Sequence, residues 1–148
     1  MSKARTLEVM PFGLLTHVHA ELYEGPEIDV HFFGTDRKIS ISIMLDENLA
    51  PNSHQVKAYE LFIADVPKAM KSAEAAVCKE YGSIHEEDAP NTEHVAKAVK
   101  LEGIHFPNYY DCPILGLLFS CDWDEEHGLG VRFEHGELTD VGPQDVAM

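Results

Sequence analysis

The chain has 148 residues, of which 45% are hydrophobic and 25% charged, the composition of a globular protein rather than a disordered one. Its 26 acidic and 11 basic side chains leave a formal charge of −15, which disfavours direct binding to nucleic acid or to an anionic membrane surface. One domain over residues 1–148 is expected, with no membrane span. The first ten residues lack the apolar stretch of a secretory leader, which points to a cytoplasmic protein.

The first third reads as strands. Leu7 to Phe12 is short, and Pro11 marks its end or a sheet edge. Val18, Ala20 and Leu22 alternate with His17, His19 and Glu21, and Ile28, Val30 and Phe32 alternate with Asp29 and His31. Between them Glu24-Gly25-Pro26-Glu27 is a turn signal, so the two runs predict an antiparallel hairpin. Gly34-Thr35-Asp36-Arg37 leads into a third run, where Ile39, Ile41, Ile43 and Leu45 alternate with polar residues. The result is a meander with one apolar face that another layer must cover.

In the middle third the apolar period changes from two to about 3.6. Val56, Tyr59, Phe62, Ile63 and Val66 predict a helix with Asn52 or Ser53 as N-cap. Pro67 suits the start of a second helix, which Met70, Ala73, Val77 and Tyr81 continue and Gly82 stops. After an acidic loop, Thr92 opens a third helix through Val95, Ala98 and Val99, closed by Gly103. Strands then return. Ile114 to Phe119 is nearly all apolar, as in a strand covered on both faces. Trp123 follows as a core anchor, then a turn at Glu125-Glu126-His127-Gly128 and a strand carrying Val131 and Phe133. His135-Gly136 turns into a last strand with Leu138 and Val141. Strands, helices and strands again predict an α+β fold: an antiparallel sheet of about six to seven strands, two to three helices packed on one face, and the other face partly open.

Nine histidines are the compositional oddity. If the hairpin turns at Gly25-Pro26, its apolar face pairs Val18 with Phe32, Ala20 with Val30 and Leu22 with Ile28. The polar face then pairs His19 with His31 and Glu21 with Asp29. His17, His19 and His31 with Glu21 become a candidate site for zinc or another transition metal. The same residues also suit a plain solvated face. Asp122, Asp124 and Glu126 alternate like calcium ligands, but the loop lacks the glycine and the terminal glutamate such loops need. The metalloprotease, nucleophile-elbow, P-loop and dinucleotide motifs are absent. Cys78, Cys112 and Cys121 are too few and too spaced for a disulfide framework. They read as reduced thiols, with Cys112 and Cys121 as conceivable nucleophiles.

The segment Leu115-Gly116-Leu117-Leu118-Phe119, then Asp122-Trp123-Asp124-Glu125-Glu126-His127-Gly128-Leu129-Gly130-Val131, resembles a C-terminal signature of small bacterial proteins built on domains of unknown function. The tail Gly136, then Val141-Gly142-Pro143-Gln144-Asp145, is similar to the ending that some of them carry. Such domains resemble immunity proteins of bacterial polymorphic toxin systems and are grouped with them by genome context. The resemblance spans residues 115–147 and carries over no catalytic residue.

Two functions follow as expectations. The first is a binding protein of the immunity type that neutralises a basic toxin. Residues 101–148 hold ten acids and one base, Arg132, and acidic surfaces steer basic partners. Asp124, Glu125, Glu126, His127, Glu134 and Glu137 would form the partner-binding face, with no cofactor. The second is a metal-dependent hydrolase using the histidines of the N-terminal hairpin. An exposed edge strand would also permit a homodimer.

Overall fold

The computed structural model describes residues 5–148; residues 1–4, part of the stretch read for a leader, lie outside the described residues. The chain runs β1 (Thr6–Val9), β2 (Gly13–His19), β3 (Leu22–Phe32), β4 (Thr35–Met44), α1 (Ser53–Ala64), α2 (Val66–His85), α3 (Thr92–Ala98), β5 (Val99–Phe106), β6 (Ile114–Cys121), β7 (Leu129–Glu134), β8 (Glu137–Gly142) and a 3₁₀ turn, Gln144–Ala147. Among the described residues the eight strands form one sheet in sequence order. Neighbours are antiparallel throughout, except that β4 and β5 are parallel and joined through the three helices. The α+β class and the helix count match the sequence reading. The sheet is larger than the six to seven strands expected, and it is not purely antiparallel.

The additional strand is β5. Val95, Ala98 and Val99 fit helical spacing, so the sequence reads as helix up to Gly103. In the structure α3 ends at Ala98, and Val99 and Leu101 are buried while Lys100 and Glu102 are exposed. That alternation is a strand's, and the central place between β4 and β6 overrides the helical pattern. Gly103 sits at an irregularity of this strand rather than at a helix end.

The hairpin also differs. The turn falls at Ala20-Glu21, with Ala20 in the left-handed region at φ 48°, and β2 pairs with β3 as His19↔Leu22, His17↔Tyr23 and Thr16↔Glu24. Gly25-Pro26 does not turn the chain. It lies inside the 11-residue β3 at a register shift between Glu24 and Glu27. Proline is tolerated in a strand at such an irregularity. Gly25 is needed because a Cβ there would come within 2.6 Å of the Ile41 side chain. Gly82 has a similar reason. The second helix continues past it to His85 and ends at Glu86 in the left-handed conformation, while the following chain folds back so that a Cβ on Gly82 would meet the Glu87 carbonyl at 2.6 Å.

The helices cover one face of the sheet. Phe12, Tyr59 and Phe106 form an aromatic cluster there, with ring centroids 4.8–6.0 Å apart. Trp123 is half-buried at the margin, edge-on to Tyr81 and His85, rather than deep in the core. The start of α1 is fixed by a capping box. Asn52 Oδ1 accepts from the Gln55 backbone N–H, and Gln55 Oε1 accepts from the Asn52 N–H, each at 2.9 Å. The buried Gln55 Nε2 also donates to the carbonyls of Met44 (2.7 Å) and Phe106 (3.1 Å), the last residues of β4 and β5. One side chain thus joins the helix to the C-terminal ends of both strands of the parallel pair. Gln55→Leu strands these carbonyls and is expected to cost about 2–4 kcal/mol in urea unfolding. A loss within about 0.5 kcal/mol would show the linkage to be unimportant.

The opposite face is closed over β6 to β8 by the 3₁₀ turn, so β6 is covered on both sides as its apolar sequence predicts. A Cβ on Gly116 would lie 1.8 Å from the Ala147 carbonyl oxygen. Gly116→Ala is therefore expected to lose about 3 kcal/mol of stability by lifting the turn, whereas Gly103→Ala should stay within about 0.5 kcal/mol. At Gly103 the nearest atom, Leu118 Cδ1, is at an ordinary 3.8 Å. Equal melting temperatures for the two variants would contradict this packing.

Candidate functional site

The corrected hairpin register disperses the histidines. His17 Nε2 bonds the Ala20 carbonyl at 2.9 Å, and its ring lies 5.0 Å from Tyr23. His19 is exposed beside the turn that contains Glu21. His31 sits at the far end of β3, where its Nδ1 is 2.8 Å from Asp36 Oδ1. Asp29 pairs across the strands with Lys38, not with Glu21, and their 2.9 Å contact holds the lysine's pKa above its usual value. Among the described residues no group of three or more His, Cys, Asp and Glu side chains is arranged to hold a metal ion.

The acidic residues of the last third fall into two places. Asp122 to His127 form the turn between β6 and β7. There the Asp124 carboxylate accepts from the His127 backbone N–H at 3.0 Å and contacts the His127 ring at 3.1 Å. These contacts hold the Asp124 carboxyl below its usual pKa, the backbone bond first among them. Asp124 and His127 thus shape the turn, while Glu125 and Glu126 are exposed. Glu134 and Glu137 lie at the other end of β7, about 20 Å away by strand rise. They are directly opposite each other across the β7–β8 hairpin. Glu134 is drawn to Arg132 at 2.8 Å, and Glu137 is exposed. The sequence-predicted acidic face is therefore two patches.

Beside Glu137 a cleft of about 200 Å³ opens where α1 and α2 diverge over β6 and β7. Phe62, Leu115 and Phe133 are buried among its lining residues, and Asp65, Lys68, His135 and Glu137 are exposed ones. No sequence motif marks the cleft, because its walls come from α1, α2 and the β7–β8 turn.

A second feature missed by sequence is a polar row across the other face. Ser42, His105, Gly116, Arg132 and Asp140 are successive cross-strand neighbours from β4 to β8. Ser42 Oγ and His105 Nδ1 share a 2.7 Å hydrogen bond, and the Arg132 guanidinium lies 4.3 Å from the Tyr110 ring centroid. His105 is buried, and desolvation lowers its pKa to about 4. Its ring is therefore neutral near pH 7 and is held by the Ser42 hydroxyl. Burial raises the pKa of Cys78 and Cys121, the reverse of what a nucleophile needs.

Residues 12–148 match the family described as Domain of unknown function (DUF6985). The chain belongs to this family. No curated protein and no solved structure matches it. No helix among the described residues is long and apolar enough to cross a membrane. Within this DUF6985 chain the signature segments have a visible structural task. Gln144 Nε2 donates to the Phe119 carbonyl at 2.8 Å, and the Gln144 backbone N–H donates to the His127 carbonyl at 3.0 Å. The two segments dock on one another.

The lowered His105 pKa gives a signed expectation. The unfolded state takes up the proton first, so the stability from the neutral ring is complete above the ordinary value of 6.5 and is lost as pH falls from there to about 4. His105→Gln should reduce the loss of stability over this interval by about 3 kcal/mol. An imidazole signal of His105 titrating near 4 would agree, and a midpoint near 6.5 would not.

Proposed function

We propose that this protein is a binding protein of the immunity type, which neutralises a basic protein toxin by presenting an acidic surface to it. The observation that carries the reading is the unbalanced charge of residues 101–148, ten acids against Arg132. That arginine is itself engaged by Glu134. Among the described residues only one other carboxylate, Asp29, forms an ion pair with a lysine or arginine. A surface of exposed, unmatched carboxylates accelerates encounter with a basic partner and repels acidic ones. The toxin as partner is supported by the likeness of the Trp123–Gly128 and Gly142–Asp145 segments to those of immunity-associated bacterial proteins. The alternative of a metal-dependent hydrolase draws no support from the hairpin, since His31 is far along β3 from His17 and His19.

The test is capture from the native host, followed by measurement of the purified pair. A single basic partner is expected, whose Kd weakens at least about tenfold between roughly 50 and 500 mM salt, and whose toxicity on expression is relieved by this protein. A partner of neutral or acidic charge with salt-independent affinity, or a basic partner without protection, would overturn the reading.

A further inference from the structure

We draw no further inference here: the strongest candidate, the surface patch where Tyr81 and His85 at the end of α2 stack on each other and stand edge-on to Trp123 of the β6–β7 turn, is an aromatic cluster packed on itself beside exposed carboxylates, and nothing in the structure shows what covers it.

Discussion

The parallel contact between β4 and β5 is the constraint on which the rest of the structure depends. The other strand pairs follow one another through short connections, whereas this one closes across the whole helical segment from Ser53 to Ala98. Local turn chemistry cannot set its register. Gln55 does so from the helix side, joining the capping box of α1 to the terminal carbonyls of both strands. Asn52 extends the link by donating to the Asn108 carbonyl, and Asn108 in turn donates to Asp46. With β4 and β5 held, Ile41 and Ile43 stand beside Ile104 and Phe106, and the aromatic cluster with Phe12 and Tyr59 has a floor.

Much of this fold is legible in the residues because local pattern and tertiary burial agree. Asn52 is a good N-cap, Pro67 falls in the first turn of α2, and Ile39, Ile41 and Ile43 alternate into the core. Legibility fails where two patterns compete. Val95, Ala98 and Val99 suit a helix face, but Val99 also begins a strand whose partners lie more than fifty residues earlier and some twenty later in the chain. Gly25-Pro26 has the composition of a turn, yet it serves a strand irregularity that lets Ile41 and Leu15 pack beneath it. That displacement of one turn separates His31 from His19. A metal site inferred from facing pairs is sensitive to such a shift, because each side chain's partner depends on the register.

The Trp123–Gly128 and Gly142–Asp145 segments show why a recognisable motif need not be chemical. Gly128 has φ 65°, and a Cβ there would press on Gln144 and on the Phe119 carbonyl. Gln144 fills the space that the glycine leaves and bonds that same carbonyl. Asp124 is occupied by the backbone of its own turn. Asp124, Gly128 and Gln144 are therefore spent on holding the β6–β7 turn and the 3₁₀ turn together. Of the six residues predicted to form the partner-binding face, Glu125, Glu126 and Glu137 are exposed and make no ion pair among the described residues. The cleft was invisible in sequence for the converse reason: its walls are ordinary helix and strand residues, and only their assembly makes a concavity.

Charge divides cleanly between the interior and the surface. His105 is kept neutral by burial, and the thiols of Cys78 and Cys121 are pushed further toward their neutral form. The interior consequently adds little to the field of the molecule near neutral pH. Nearly all of the −15 charge acts from exposed side chains, where salt screens it and where side chains of a partner reach it. A carboxylate surface of this kind determines how fast a basic molecule arrives and which molecules are turned away, but it grips weakly. Tight binding needs desolvated contact as well. On this molecule the cleft that ends on Phe62, Leu115 and Phe133 is one concave place where an apolar group could find such contact.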